Sequence, residues 1–363
     1  MRFLVTGSNG LVGSRVCALL ERQGHEVVGL GRGPRRTGGT YRYVEVDLTR
    51  EADVAAALAS AAPEVVIHPA SMTEVDACEK DPEAAFAANV TAAAAVAKGA
   101  RKAGAHLVHV STDYVFDGDA GPYDEEALPN PRGVYALTKH MGEQAARTFV
   151  PGCAIARTAV VYGWPAAGRP NFGAWLVGSL EKGQPVKALR GPRWCPPAFA
   201  DSVAATARSE LGEAAAGRRG GTPAGGTVID RVGFGRALCE VFGFDAKLIT
   251  PTRMADLKLA SPRPLRSGLK TDKVRAQLAA SRWSWPSRWR ASTRPGRPGR
   301  AADTPARPAR PRILRARQGP RPEGPAGTRD MRCTYEGNRP RRWLGHAPVS
   351  ADPRGQQAAA ARL

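Results

Sequence analysis

Tyr135 and Lys139 stand four residues apart in the run Val134-Tyr135-Ala136-Leu137-Thr138-Lys139. On a helix that spacing sets a phenol and an ammonium on one face. A neighbouring cation favours the phenolate, so the pair is expected to lower the phenol pKa from its ordinary value of about 10 and to ease proton exchange near neutrality. A lone pair of this kind carries little weight. Here Ser111-Thr112 closes an apolar run upstream and can bring a hydroxyl beside the phenol. Gly7, Gly10 and Gly13 form a third group, a GxxGxxG turn. Glycine lets such a turn be tight and lets backbone N–H groups approach a pyrophosphate, which a following helix N-terminus favours. Together these groups suit hydride and proton transfer over a bound dinucleotide.

A scaffold of alternating strands and helices is needed to bring them together, and the first 160 residues supply that pattern. Arg2–Thr6 is a short apolar run that predicts a buried strand, and Leu11–Arg22 has helical spacing stopped by Gly24. Strands are expected at Glu26–Leu30, Tyr41–Val46, Glu64–His68, His106–Val110 and Cys153–Arg157. Helices are expected at Val54–Ala61, Pro82–Lys102 and Tyr135–Phe149. This alternation predicts a doubly wound parallel α/β sheet of the Rossmann type with right-handed crossovers.

The end of the second strand bears on the choice of dinucleotide. An acid there bonds a ribose 2′-hydroxyl, whereas arginine accommodates a 2′-phosphate. The segment reads Gly29-Leu30-Gly31-Arg32, with Arg35 and Arg36 close behind. NADPH is therefore the expected cofactor, with NADH left open, and Arg32 carries the preference if Arg35 and Arg36 merely decorate a loop. Asp47, after the third strand, either accepts from the adenine amino group or caps the next helix. The candidate cofactor set is Gly7, Asn9, Gly10, Leu11, Val12, Gly13, Arg32, Asp47, Leu48, Ala70, Ser71 and Lys139.

Composition sets the outer limits. The 363 residues carry a formal charge of +20, but unevenly. Residues 281–363 hold 19 Arg, no Lys and 5 acids, together with 12 of the 30 prolines. Such a stretch cannot bury enough apolar surface to offset its ordering entropy, and disorder is expected. Arginines with Trp283, Trp285 and Trp289 could contact phosphates and stack bases. Arg, Pro, Ala and Gly without Lys is also what a shifted frame through GC-rich DNA encodes; that reading is preferred, and nucleic acid is not expected as a partner. Six scattered cysteines without a CxxC pair point away from a zinc ribbon or disulfide scaffold, and no metal is expected. No apolar run reaches the ~20 residues of a bilayer span and no signal segment precedes Arg2, so a cytoplasmic protein without membrane contact is expected.

The combination of Gly7/Gly10/Gly13, Ser111-Thr112 and Tyr135/Lys139 resembles the extended short-chain dehydrogenase/reductases. The stretches VIHPASMTEVDACEKDPEAAFAANV (66–90), STDYVFDG (111–118) and RPLRSGLKTDKVRAQL (263–278) are similar to the dTDP-4-dehydrorhamnose reductases within them. The resemblance implies that Tyr135 gives a proton to the reduced oxygen, Lys139 holds the nicotinamide ribose and Thr112 bonds the carbonyl. It implies a proton-relay role for Asn89, set against a plain bridging role, and a structural or cofactor-lining His68. Sugar-nucleotide dehydratases carry an Asp-Glu pair after the threonine, because elimination needs a second acid and a base. This chain has Asp113-Tyr114, so NADPH-driven reduction of a nucleotide-activated 4-keto-6-deoxyhexose fits better. An epimerase, a non-catalytic regulatory subunit like the methionine adenosyltransferase beta subunit, and an inactive damaged product are the alternatives. Asp113, Tyr114, Asn171, Phe172 and Trp194 are the substrate candidates; Tyr114 either lines the sugar pocket or packs as an ordinary aromatic. A homodimer is allowed.

The expected division is a nucleotide-binding domain over 1–165, a smaller α/β substrate domain over 166–280, and the basic tail over 281–363. The substrate part departs from the resemblance at Cys195-Pro196-Pro197 and in GRRGGTPAGG (217–226), where glycine and proline disfavour the expected strand. After residue 280 the arginine-rich tail stands in place of a last amphipathic helix. If both departures hold, the lobe loses several kcal/mol of packing from a net stability of about 5–15 kcal/mol.

Overall fold

The computed structural model describes residues 1–166, 170–190, 198–199 and 229–272. The tail from 281, the 217–226 departure, Cys195-Pro196-Pro197 and Trp194 lie outside the described residues.

Six parallel strands form the central sheet: β1 (Arg2–Thr6), β2 (Glu26–Gly31), β3 (Arg42–Glu45), β4 (Val65–His68), β5 (His106–Thr112) and β6 (Ala154–Thr158). Their spatial order is β3-β2-β1-β4-β5-β6, so the winding reverses between β1 and β4. Val5 lies opposite Gly29 on one side and Ile67 on the other, which fixes the register at that reversal. Ligands of such sheets bind at the carboxyl edge of this crevice.

Because both faces are covered, the inner strands β1, β2 and β4 are largely apolar and buried rather than alternating, whereas the edge strand β3 reads Arg42-Tyr43-Val44-Glu45. On one face Leu4, Val28, Leu30, Val66 and Leu107 pack against α2 (Glu51–Ala61), α5 (Ala92–Ala103) and α6 (Val134–Phe149). On the other, Phe3, Val5, Ile67 and Val108 meet Val16, Cys17 and Leu20 of α1 (Leu11–Arg22). The predicted doubly wound sheet is thus the observed one.

Three differences in the elements matter for the site. Strand β5 runs on through Ser111 and Thr112, carrying the threonine to the carboxyl edge. A short helix α3 (Val75–Lys80) occupies a stretch for which no element was expected. The single helix expected over 82–102 is instead α4 (Pro82–Phe86), a π turn (Ala87–Thr91) and α5. One extra residue per turn re-aims Asn89, whose amide bonds both backbone groups of Met72 and the Thr138 hydroxyl. The close approach needs Gly142, where a Cβ would stand 2.5 Å from the Asn89 carbonyl oxygen.

A second apolar cluster joins Tyr162 of β7 (Val161–Tyr162), Leu176 of α7 (Phe172–Leu180), Val186 of β8 (Val186–Leu189) and Phe234 and Leu238 of α8 (Arg231–Phe242). Strand β7 pairs in parallel with β9 (Ala198–Phe199), and β8 with β10 (Ile249–Thr252). From there the chain returns to the main sheet. Asp76 of α3 accepts from the N–H groups of Ala260 and Ser261 and pairs with Arg263 at 2.7 Å. Farther on, the Tyr123 N–H donates to the Gly268 carbonyl and the Lys270 N–H to the Tyr123 carbonyl. Residues 260–271 are thereby strapped across the end of β5.

Candidate active site

The glycine turn lies between β1 and α1, at the winding reversal. Gly7 has φ +59°, a conformation open to glycine without strain. A Cβ on Gly13 would stand 2.3 Å from the Gly7 carbonyl oxygen, and one on Gly7 would stand 3.0 Å from the Ala70 Cα. The turn therefore closes backbone against backbone. Gly10 begins α1 with no side-chain cap, and the first helical turn carries no acid. Its N–H groups, among them those of Leu11 and Val12, remain open to an anion.

Asn9 does something else with its side chain. Its amide donates to the Pro34 carbonyl and the Tyr43 hydroxyl and accepts from the Arg36 N–H, closing the loop after β2 over the turn. The three arginines of that loop are not equivalent. Arg35 is spent inside it, donating to the carbonyls of Thr37, Gly38, Gly39 and Tyr41 and stacking 4.0 Å over the Tyr41 ring. Arg32 and Arg36 are exposed, and their guanidinium groups make no hydrogen bond among the described residues. Asp47 accepts from the N–H and hydroxyl of Thr49, bonds that hold its carboxyl below the usual range. Those bonds close a local turn ahead of α2, whose N-cap is Arg50 with no side-chain cap, so Asp47 does not cap that helix. Leu48 packs on the core, and Ala70 and the half-buried Ser71 follow β4 beside the glycine turn.

Thr112, Tyr135 and Lys139 meet at the end of β5, all buried. The Lys139 ammonium donates to the Val110 carbonyl at 2.8 Å, leaving two of its three protons for other partners. Burial pulls its pKa down to about 8, opposed by the Glu143 carboxylate. The phenol corrects an expectation. Burial, with the Thr112 hydroxyl opposing it, pushes Tyr135 well above its ordinary value, so the phenol is held protonated and is not drawn toward phenolate. The physical reason is dehydration: removing water penalises the phenolate, and the Thr112 hydroxyl offsets only part of that penalty.

Beside them, the fully buried Asp113 accepts from the Ser267 hydroxyl at 2.6 Å and from the Thr112 hydroxyl at 3.1 Å. Burial raises its carboxyl to about 7. The Tyr114 ring meets Tyr135 edge-on at 5.7 Å. His68 bonds Thr6 at 2.7 Å, and burial takes its pKa to about 3, so it is neutral and structural. All of Asn89's amide bonds go to Met72 and Thr138, which is the bridging role.

One turn beyond Lys139, Glu143 is fully buried and held in a fork by Arg157, with contacts of 2.9 and 2.8 Å. It escaped the sequence reading, although its i+4 spacing from Lys139 was a usable signal. Ser267 and Arg231 also escaped it, because only the tertiary fold brings them near. Arg231 lies 4.7 Å over the Phe172 ring and faces Tyr114 and Arg263; burial lowers its pKa to about 10. Asn171 caps α7, accepting from the Ala174 N–H and donating to the Gly163 carbonyl.

A family model described as the RmlD substrate binding domain matches residues 1–294. The chain belongs to this family. A curated relative from Haloferax volcanii, named a probable low-salt glycan biosynthesis reductase, Agl14, is 36% identical over 284 residues, covering 77% of this chain and 93% of the relative. A dTDP-4-dehydrorhamnose reductase from Streptomyces griseus is 35% identical over 282 residues, covering 76% of this chain and 87% of the relative. Among solved structures, a dTDP-4-dehydrorhamnose reductase from Bacillus anthracis in complex with NADP is similar with a TM-score of 0.67 and 22% identity, covering 76% of this chain and 92% of that one. In this chain the phenol, amine and hydroxyl stand buried at the carboxyl edge of the sheet. A dinucleotide fits the residues present: the turn admits no Cβ at Gly13, its helix start is uncapped, and two guanidinium groups past β2 are uncommitted.

Proposed function

We propose that this RmlD-family chain is an NADPH-dependent reductase of a nucleotide-activated 4-keto-6-deoxyhexose, with dTDP-4-dehydrorhamnose the preferred substrate. NADPH, when bound, supplies the hydride that the ketone carbon receives. Residues 1–165 hold it: the first turn of α1 and the glycine turn take the pyrophosphate, Arg32 with Arg36 takes the 2′-phosphate, and Lys139 takes the nicotinamide ribose. Tyr135 gives its proton to the ketone oxygen as negative charge grows there, and Thr112 hydrogen-bonds the same oxygen. Tyr114 and Phe172 line the sugar side.

The observation that carries this reading is the buried, protonated Tyr135 beside Thr112, with Tyr114 where an eliminating enzyme needs a second carboxylate. A phenol that keeps its proton is the acid a carbonyl reduction requires.

NADPH oxidation followed at 340 nm with dTDP-4-dehydrorhamnose tests it. Tyr135→Phe is expected to lower kcat by about 100-fold or more, the usual reach of a positioned general acid, while NADPH binding persists. Full activity in that variant overturns the assignment. Turnover without net NADPH consumption would instead mark an epimerase.

A further inference from the structure

The Thr112 hydroxyl has one proton to give and two lone pairs to receive with. It accepts from the Tyr114 N–H at 3.2 Å and gives its proton to Asp113 at 3.1 Å. While Asp113 is a carboxylate it can only accept, so the Thr112 proton is committed to it and cannot reach a ketone. A proton on the Asp113 oxygen nearest Thr112 reverses the bond. Asp113 then donates to Thr112, and the threonine proton is released toward the phenol side of the site. We propose that Asp113 is a positioning residue that must carry a proton for Thr112 to donate to the substrate carbonyl. This rests on the reduction reading above.

Geometry favours the protonated form. Asp113 is enclosed at the end of β5, and no cation among the described residues bonds its carboxyl. The ionisable groups packed around it are Tyr114 on its own turn, Tyr135 of α6 and Cys78 of α3 beyond that phenol. On the far side of Tyr114 stand Arg231 of α8, Arg263 of the strap and Asp76 of α3. Burial raises the carboxyl to about 7, opposed by the bond from Ser267. Ser267 belongs to the strap over residues 260–271, so the segment that closes over β5 also sets how readily Asp113 gives up its proton.

The test follows kcat for NADPH oxidation from pH 5.5 to 9 in the full chain, for the wild type, Asp113→Asn and Ser267→Ala. It is paired with infrared detection of a protonated carboxyl in the wild type minus Asp113→Asn difference spectrum, without cofactor. Above about pH 7, wild-type kcat is expected to fall tenfold per pH unit, with a second fall near 8 from Lys139. Asparagine can donate to Thr112 and accept from Ser267 at every pH, so Asp113→Asn removes the first fall and leaves the second. Ser267→Ala withdraws a bond that favours the carboxylate, so it moves the first fall to higher pH. A purely structural role for Asp113 would shift neither. An unaltered wild-type profile in Asp113→Asn, or an infrared titration with Asp113 already ionised at pH 6, overturns the proposal. Absence of turnover in the wild type at every pH sinks the reduction reading instead, and the infrared titration still decides where the Asp113 proton resides.

Discussion

The ion pair under the candidate site gives the sharpest stability test. Glu143 has no exposed side-chain surface and Arg157 little, and the guanidinium forks onto the carboxylate with contacts of 2.9 and 2.8 Å. Arg147 and His140 approach the same oxygen at 3.5 and 3.7 Å. Glu143→Gln keeps the shape but removes the charge, leaving Arg157 buried without its counterion. Breaking one partner of a buried pair costs about 3–5 kcal/mol, against a domain stability of about 5–15 kcal/mol. Gln retains one acceptor oxygen, which argues for the lower end, about 3 kcal/mol.

Urea unfolding at pH 7 measures this, with an unchanged slope and a lowered midpoint as the signature. The pH dependence has a definite sign. Burial would raise the Glu143 carboxyl, but the bonds from Arg157 and His140 overcome it and hold the group well below the usual range. The wild-type advantage is therefore complete above the unfolded carboxylate pKa of about 4.3 and shrinks as the pH falls below it. Replacing both partners, Glu143→Leu with Arg157→Met, removes the stranded charge and is expected to cost less than Glu143→Gln alone. A Glu143→Gln variant within about 1 kcal/mol of wild type, or a double variant worse than the sum of the singles, refutes the argument.

Three further outcomes are expected. Gly13→Ala drives a methyl into the Gly7 carbonyl, so it should cost about 1–3 kcal/mol and weaken NADPH binding, read by quenching of protein fluorescence; unchanged binding contradicts the turn's role. Arg32→Ala removes a charge-assisted bond worth about 1.5–3 kcal/mol, a loss of about 10- to 150-fold in NADPH affinity, and should leave NADH affinity as it was; equal losses contradict a 2′-phosphate contact. Asn171→Ala removes the cap of α7 and should lower stability by about 0.5–2 kcal/mol with KM for the sugar nucleotide unchanged. A raised KM at full stability would restore Asn171 to the substrate side.

The sequence was legible where chemistry and scaffold share a local signal. The glycine turn, β1 and α1 occupy one continuous stretch, and α6 carries Tyr135 and Lys139 on a period that any helix imposes. What escaped depended on distant chain. The break in the helix over 82–102 arises because Asn89 bonds Met72 and Thr138 and Gly142 lets it approach; alanine-rich spacing alone predicts an unbroken helix. Ser267 lies 154 positions from Asp113, and no period or propensity links them. The phenol was misjudged for a related reason. The i+4 rule supplies the spacing to Lys139, but the loss of water around Tyr135 follows from its packing with Cys78 of α3, Ala85 of α4 and Tyr114, and that burial dominates the phenol.

The proton inventory of the site bears on direction as well as on class. Reduction requires a group that holds a proton at the working pH and yields it only when an alkoxide develops, which a buried phenol does. Elimination of water requires a base besides that acid. Tyr114 is pushed up to about 12 by burial and the neighbouring Asp113, so it cannot serve. Asp113 is the nearest carboxyl, but on the reading above it must already carry a proton for Thr112, so it is not free to serve as that base. Within the described residues, then, one phenol is poised as an acid while the nearest carboxyl is tied to the threonine that orients the ketone. The same burial that moves Tyr135 away from phenolate makes the arrangement a proton source, and it suits ketone reduction for that reason.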